Sequence, residues 1–241
     1  MRLSSIISRW GQQMGFDIRR YPTRLLRNRS QLLQTQGIDL ILDVGANKGQ
    51  YAQELRSIGY QGEIYSFEPL AEAYGILANA AAKDPLWKVF NYGLGLSEET
   101  ISINVASNLA SSSILEFEPS HKSAAPNIGY LRKESISIKA LDEVAPSLKL
   151  DGRKVFLKID TQGYEEKVLK GASNTLQNHI TGLQIELSLT PVYTGEWLYE
   201  DIILHLKQYG YELYSMEPGL CDENTGRMLQ FDGVFFRSKE D

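Results

Sequence analysis

Residues 40–51 constrain the fold of this 241-residue chain more than any other stretch. An apolar, β-compatible run at residues 40–44 contains one acid, Asp43, and then breaks into a loop of small residues. The loop leads directly into a helical pattern that begins at Tyr51. In α/β proteins, such a strand-to-helix junction lies at the carboxyl edge of the sheet, where these folds bind ligands. The segment therefore predicts an α/β fold with a ligand site at this loop.

The loop has the form D-x-G-x-N-x-G over residues 43–49. Its glycines and Ala46 would let a ligand approach the main chain closely, and Asp43 adds a negative charge at the strand end. Phosphate-binding loops lack such an acid, and neither G-x-x-x-x-G-K-[ST] nor G-x-G-x-x-G is present, since Asn47 replaces the second glycine of the latter. The pattern is close to the D/E-x-G-x-G-x-G loop of enzymes that bind S-adenosylmethionine (SAM), a ligand with an amino group and a sulfonium. A structural turn without a ligand is the alternative.

A second strand is predicted at residues 63–68, and it ends in Glu68. This acid follows the glycines by about 20 residues, where a carboxylate can accept both hydroxyls of a ribose. Pro69 ends the strand and precedes a helix predicted over about residues 70–82. A solvated acid is the alternative, but the two elements together favour a ligand that contains a ribose.

The rest of the chain alternates between strand and helix patterns, as a doubly wound fold should. Residues 107–134 are predicted to form a long loop of the kind that often covers a binding site. One helix is predicted to follow residues 161–163 and to end at residue 171, and another is predicted over residues 197–209. Further strands are predicted at residues 87–92 (with a turn at 93–95), 100–105, 135–139, 155–160, 182–188, 211–216 and 230–237.

The first 30 residues differ from the rest of the chain in charge. Seven arginines and one aspartate give them a net charge of +6, and because the whole chain carries −5, the remainder carries −11. We expect a basic amphipathic helix that packs across the domain with Leu3 and Trp10 in its core; a helix lying on an anionic membrane surface is the alternative. The acidic main body argues against nucleic-acid binding. We therefore divide the chain into an N-terminal segment, 1–36, and a domain, 37–241.

Composition fits one enzyme-sized domain, with 42% hydrophobic and 23% charged residues. A single cysteine, Cys221, excludes an intrachain disulfide and favours a reducing compartment, so we expect a cytoplasmic location. No apolar run approaches the roughly 18 residues of a membrane-spanning helix. The N-terminus is too short and too quickly interrupted to resemble a secretory signal.

Four motifs make the chain resemble the FkbM family of SAM-dependent O-methyltransferases. They are D-V-G-A-N-K-G at residues 43–49, F-E-P at 67–69, L-D at 141–142, and L-K-I-D-T-Q-G-Y-E at 157–165, which V-L-K-G-A continues at 168–172. The resemblance extends over about residues 39–237. It departs from the family pattern at Gln162, where many members carry Glu.

The resemblance implies a Rossmann-like class I methyltransferase fold, which is α/β with a mostly parallel seven-stranded sheet, helices on both faces and an antiparallel last strand. It also implies SAM as cofactor and, as acceptor, a hydroxyl on a sugar, a glycan or a related natural product. By resemblance, the glycine loop would hold the methionine part, Glu68 the ribose, and the turn after the third strand would flank the adenine. The expected cofactor-binding residues are Asp43, Gly45, Ala46, Asn47, Gly49, Tyr51, Glu68, Pro69, Asn91, Gly93, Leu94 and Asp160.

Methyl transfer to an alcohol needs an aligned acceptor and a group that takes or offsets its proton. Asp160 ends a predicted buried strand and is the leading candidate for the base, with helix capping as its alternative role. Asp160 and Glu186 could instead converge on Mg²⁺, with Asp232 as a third carboxylate. His121, in the predicted long loop, is a further candidate base, although a loop histidine is often simply exposed.

The acceptor is expected to contact polar and aromatic side chains near the same edge of the sheet. The candidates are Ser112, Ser113, Gln162, Glu165, Tyr193 and Asp232. Two other functions remain open at this point. One is a noncatalytic scaffold with a SAM-binding fold, and the other is a different nucleotide-binding enzyme such as a dehydrogenase, against which the missing G-x-G-x-x-G argues.

Overall fold

The computed structural model of the protein describes residues 21–238, together with residue 10 and residues 13–16. Most of the predicted N-terminal amphipathic helix therefore lies outside the described residues. Trp10, which we expected to be buried where that helix packs across the domain, is 67% exposed. Among the described residues, no helix combines the length and the apolarity that crossing a membrane requires.

Strands and helices alternate along most of the described chain. The strands are β1 (Leu40–Val44), β2 (Glu63–Phe67), β3 (Trp87–Phe90), β4 (Gly93–Gly95), β5 (Glu99–Ala106), β6 (Tyr130–Ala140), β7 (Val155–Ile159), β8 (Ile180–Ser188), β9 (Tyr211–Pro218) and β10 (Gln230–Arg237). The helices are α1 (Arg24–Thr35), α2 (Gln50–Ser57), α3 (Ala71–Ala81), α4 (Pro119–Ala124), α5 (Leu141–Leu148), α6 (Glu165–Lys170), α7 (Ser173–Asn178) and α8 (Tyr199–Gln208).

Seven of these strands form a central sheet in the order β3-β2-β1-β7-β8-β10-β9. The pairs from β3 to β8 are parallel, whereas β10 runs antiparallel to both β8 and β9. The predicted mostly parallel seven-stranded sheet with an antiparallel last strand is confirmed. Because the central strands are parallel, their carboxyl ends share one edge, to which the loops after β1, β2 and β7 contribute.

Helices cover both faces of the sheet, so its central strands are buried on both sides, as parallel strands usually are. Alternate residues of β1 enter different cores, with Leu40 and Leu42 on one face and Ile41 on the other. The first core includes residues of α5, α6, α7 and α8, and the second includes residues of α1, α2 and α3. This two-sided burial explains why β1 and β7 are apolar runs rather than alternating strands.

A second, three-stranded sheet corrects part of the prediction. It has the order β4-β6-β5, and β4, which we predicted as a turn after the third strand, pairs with β6 in parallel. The predicted loop at 107–134 contains α4 and the first residues of β6. These strand residues are mostly exposed and charged, so they lack the alternating apolar pattern by which strands are found. Helices α5 and α7 were also not predicted.

Candidate active site

Two adjoining cavities open at the carboxyl edge of the central sheet. The larger has a volume of about 560 Å³ and the smaller about 70 Å³. The walls of both include the loop after β1 and the turn after β7. The residues common to the two are Gly45, Asn47, Ala110, Asp160 and Gln162. A single elongated ligand can therefore extend from one cavity into the other past Asp160.

The glycine loop passes very close to the end of β7. Gly45 has φ +76°, and a Cβ built on it would lie 1.9 Å from the carbonyl oxygen of Asp160. The N–H groups of Gly45 and Ala46 both donate to the carbonyl oxygen of Phe67, at 3.1 Å. Glycine at position 45 is thus required by backbone conformation and by contact. Gly49 begins α2 with φ +85° but lines neither cavity.

Glu68 lies in the wall of the smaller cavity and holds the loop. One carboxylate oxygen accepts the N–H of Asn47 at 2.7 Å, and the other accepts the N–H of Leu70 at 2.9 Å. Burial raises the pKa of Glu68 to about 7. Asn91 lines neither cavity; its side-chain amide donates to the carbonyl oxygens of Glu68 and Pro69 and so fixes this turn.

The residues of the smaller cavity fit the adenosine part of SAM. Glu68 offers a carboxylate for hydroxyls, and the side-chain oxygen of Asn47 is buried without a hydrogen-bond partner among the described residues. Such an orphaned acceptor is costly unless a ligand donor completes it. Apolar side chains from the second sheet complete the wall, and those of β5 and β6 were missed because the pairing of these strands into a sheet was not predicted. The expected residues in this wall are Pro69, Gly93 and Leu94. The residues that were missed are Ile103, Ile136 and Ile138.

Asp160 and Glu186 meet across the side chain of Gln162. The Gln162 amide nitrogen donates to Asp160 at 2.6 Å and to Glu186 at 3.1 Å. Its amide oxygen accepts the hydroxyl of Tyr193 at 2.5 Å. Gln162 has φ +55°, a conformation that few residues other than glycine adopt and that functional sites often retain. The residue that departs from the family pattern therefore organises the predicted catalytic carboxylates.

This arrangement does not fit the Mg²⁺ ion on which Asp160 and Glu186 could have converged. An amide N–H donor occupies the position between the two carboxylates, and a cation would need an oxygen ligand there. Within the described part of the chain, no group of three or more His, Cys, Asp or Glu side chains could hold a metal. We therefore derive no step that involves a metal ion.

Lys158 is a site residue that sequence reasoning missed. Its ammonium lies 3.3 Å from Asp160 and 3.6 Å from Asp43, and its side chain lines the larger cavity at 6% exposure. Asp43, expected to contact SAM, is fully buried, lines neither cavity, and also accepts the hydroxyl of Ser66. The signal for this pair was the parallel register of β1 and β7, which aligns Asp43 with Lys158.

His121 is not an exposed loop residue. It is 3% exposed on α4 and lines the larger cavity, stacked on Phe117 with ring centroids 3.7 Å apart. Burial lowers its pKa, so it is neutral near pH 7. Tyr193, also buried, lines the same cavity. The structure thus brings both candidates to the site, although sequence position gave no reason for their burial.

Two predicted acceptor-binding residues serve instead to hold the turn after Asp160. Glu165 accepts the N–H and the hydroxyl of Thr161, at 2.8 and 3.0 Å. The Ser113 hydroxyl donates to the carbonyl oxygen of Gln162 at 2.6 Å. Both are buried and line neither cavity. Ser112 reaches the smaller cavity and accepts the N–H of Ala106.

Glu165→Gln is expected to weaken the pH dependence of stability. Burial raises the pKa of Glu165 from 4.5 to about 7, so the folded state retains this proton better than the unfolded state. The free energy of unfolding should therefore fall as the pH rises between these values, by up to about 3 kcal/mol for this group. The variant keeps the oxygen that Thr161 contacts and should be more stable than the parent at about pH 8 but not at about pH 5.

Urea unfolding at both pH values measures this effect. Glu200→Gln, on the exposed side of α8, is the matched control and should leave the dependence unchanged. An identical pH dependence in Glu165→Gln and the parent would contradict the argument, since Glu68 and Asp232 alone would then account for it.

The larger cavity also contains Tyr51, one of the expected cofactor-binding residues, together with residues that no motif identified. Tyr51 donates its hydroxyl to Gln184 at 3.2 Å, and Gln230 donates to Glu186 at 2.9 Å. Arg29 reaches this cavity from α1. It is one of seven arginines in the first 30 residues, and nothing in the sequence distinguishes it from the others as a site residue. Asp232, as predicted, lies in the same wall.

Comparison with known proteins agrees with this geometry. A family model described as the methyltransferase FkbM domain matches residues 43–213, well over half of the chain. The hexuronic acid methyltransferase AglP of Haloferax volcanii is 28% identical over 153 residues, covering 62% of this chain and 56% of that protein. The crystal structure of methyltransferase FkbM from Methylobacillus flagellatus KT matches with a TM-score of 0.50 at 15% identity, covering 81% of this chain and 43% of that one.

The chain therefore spans less than two thirds of the length of either relative. The fold prediction of a Rossmann-like class I methyltransferase is confirmed, and the dehydrogenase alternative loses its support. The glycine loop, the Glu68 turn and the turn that carries Asp160 all lie within the matched residues. The chain belongs to the FkbM methyltransferase family.

Proposed function

We propose that this protein transfers a methyl group from SAM to a hydroxyl of a sugar, a glycan or a related small molecule. The observation that carries the proposal is the position of Asp160, which lines both cavities. A cofactor whose adenosine part occupies the smaller cavity would meet an acceptor in the larger one at this carboxylate. Such a junction suits in-line transfer, which depends on alignment of the two reactants.

The walls of the larger cavity favour a hydroxyl-rich acceptor. Its volume of about 560 Å³ lies within the range of about 300–1,000 Å³ typical of small-molecule sites. Most such sites carry few polar groups, whereas the wall of this one includes several carboxylates, amides and aromatic hydroxyls. A sugar offers the donors and acceptors that these groups need. The hexuronic acid methyltransferase AglP, a relative by sequence, supports a sugar acceptor.

In the proposed mechanism, Asp160 accepts a hydrogen bond from the acceptor hydroxyl and takes its proton as the carbon–oxygen bond forms. Bound SAM would supply the methyl group, whose bond to sulfur breaks as the bond to oxygen forms, with S-adenosylhomocysteine as the leaving group. Gln162 and Lys158 each donate to one Asp160 oxygen, which fixes the orientation of the carboxylate. Tyr193 fixes Gln162 in turn through its hydroxyl. Three side chains thus hold the proposed base in position.

The experiment that tests this function is calorimetric titration with SAM, S-adenosylhomocysteine and NADH, followed by transfer of an isotopically labelled methyl group to a panel of sugars. We expect binding of SAM and of S-adenosylhomocysteine, no binding of NADH, and labelled product with at least one sugar. Absence of binding by either adenosyl ligand would contradict the proposal. Binding without transfer to any hydroxylated acceptor would favour the noncatalytic scaffold.

Glu68→Gln is expected to weaken S-adenosylhomocysteine binding by about tenfold or more, because charge-assisted hydrogen bonds to ribose hydroxyls are lost. The glutamine side chain would also place its own N–H donor against one of the two backbone N–H groups whose hydrogen bonds Glu68 now accepts. Calorimetry measures the change in affinity. Glu223→Gln, an exposed residue that lines neither cavity, is the control. Equal affinities of Glu68→Gln and the parent would remove Glu68 from the cofactor site.

A further inference from the structure

We propose that the acceptor carries an amino group, and that the larger cavity selects against acidic sugars. This inference rests on the proposed function, because it concerns the acceptor of that reaction. It follows from how the charged side chains of the cavity are paired, from the placement of two carboxylates, and from an unpartnered buried histidine.

Both cations in the cavity wall are already committed to carboxylates. Lys158 lies between Asp43 and Asp160, at 3.6 and 3.3 Å. Arg29 donates to Glu54 at 2.6 Å and to both carboxylate oxygens of Glu217. Within the described part of the chain, the wall of this cavity therefore offers no unpaired cation to an acidic ligand.

Two carboxylates in the same wall make no direct ion pair with a described residue, although the charge of Lys158 acts on both from a greater distance. Asp232 and Glu186 are direct cross-strand partners on β10 and β8, and both line the cavity. Glu186 accepts only neutral amide donors, from Gln162 at 3.1 Å and from Gln230 at 2.9 Å. Like charges opposite one another in a sheet are unfavourable, and a ligand ammonium between them would relieve this repulsion.

The electrostatics of the pair agree with this placement. Burial, and then repulsion from Asp160, raises the pKa of both carboxyl groups, to about 6 for Asp232, although the charge of Lys158 acts in the opposite direction on both. Asp232 is therefore ionised near neutral pH, where an amino sugar is largely protonated. A carboxylate or phosphate on the acceptor would instead face several negative side chains, and like-charge contacts are a common means of excluding a wrong ligand.

A second observation shows that this wall is built for a polar ligand. His121 is nine-tenths or more buried in the same cavity, and its Nδ1 has no hydrogen-bond partner among the described residues. A buried ring nitrogen without a partner is costly, and a sugar hydroxyl would complete it. The cavity thus combines a hydroxyl-binding group with an ammonium-binding pair.

The test is saturation-transfer NMR with the 241-residue protein and S-adenosylhomocysteine, using glucosamine, glucose and glucuronate as matched probes. We expect glucosamine to bind at least about tenfold more tightly than glucose, and glucuronate more weakly still. Added salt should reduce these differences, because it screens charge. Asp232→Asn should bring glucosamine to the affinity of glucose, whereas Asp201→Asn, on the exposed side of α8, should leave the preference intact.

The inference would be overturned if the three sugars bound equally or if glucuronate bound most tightly. It would also be overturned if no methyl group were transferred to glucosamine, or if the preference for glucosamine survived in Asp232→Asn. The proposed function is tested separately, because S-adenosylhomocysteine affinity is measured first on the same sample. Unchanged affinity for that ligand in Asp232→Asn also shows that the variant is folded.

Discussion

Asp160→Asn is expected to lower kcat for methyl transfer by about 10²- to 10⁴-fold, the usual contribution of a general base. The asparagine side chain has the same shape but cannot take the proton of the acceptor. It also weakens the contact with Lys158, which keeps Asp43 as a partner. Since the fold around position 160 is retained, the affinity for S-adenosylhomocysteine should fall far less than kcat. Steady-state kinetics with the best sugar acceptor, together with calorimetry, measure both quantities.

Asp151→Asn provides the matched control for this substitution. Asp151 carries the same functional group but precedes β7 at the opposite end of the sheet, where its side chain is 97% exposed. It should leave kcat unchanged. A loss of kcat below tenfold in Asp160→Asn would remove Asp160 as the base, and Glu186 or His121 would become the next residue to test. An equal loss of kcat and of cofactor affinity would indicate that Asp160 acts mainly in SAM binding.

Gly45→Ala is expected to lower the free energy of unfolding by about 3 kcal/mol or more, because overpacking and backbone strain act together. The added methyl would lie 1.9 Å from the Asp160 carbonyl oxygen, so β1 and β7 would have to move apart at their carboxyl ends. Relief of that contact would displace Asp160 itself. We therefore expect loss of S-adenosylhomocysteine binding as well as loss of stability, measured by urea unfolding and calorimetry.

Gly152→Ala separates the two causes. Gly152 has φ +73°, close to the +76° of Gly45, but a Cβ there would meet nothing within 4 Å. It should cost only about 1–2 kcal/mol, the penalty of the left-handed conformation alone. The difference between the two variants measures the close approach of the glycine loop to β7. Equal costs would show that backbone conformation, rather than this contact, is what requires glycine at position 45.

Local patterns predicted the elements that are buried on both faces. Strands β1, β2 and β7 were predicted within one residue of their observed ends, because long apolar runs ended by acids, glycines or proline have few alternatives. The first residues of β6 were missed for the opposite reason. They are polar and exposed, and only pairing with β5 makes them a strand.

The candidate site divides in the same way. Glu68 and Asp160 were found because each acid ends a buried strand, and the order of parallel strands brings such ends to one edge. The ion pair between Asp43 and Lys158 was not predicted, because Lys158 is distant in sequence and adjacent only through strand register. His121 entered the site through the packing of α4 on Tyr193, which depends on no local signal.

The amino-acid sequence alone was sufficient for the family, the doubly wound sheet and the position of the cofactor loop, because these depend on short-range patterns of apolar, acidic and glycine residues. The tertiary structure alone decided which charges neutralise one another: Lys158 with Asp43 and Asp160, and Arg29 with Glu54 and Glu217. Charge pairing depends on distances of a few ångströms between residues far apart in the chain. It therefore became visible only once the strands were aligned. This pairing leaves Asp232 and Glu186 in the wall of the larger cavity without a direct ion pair to a described residue.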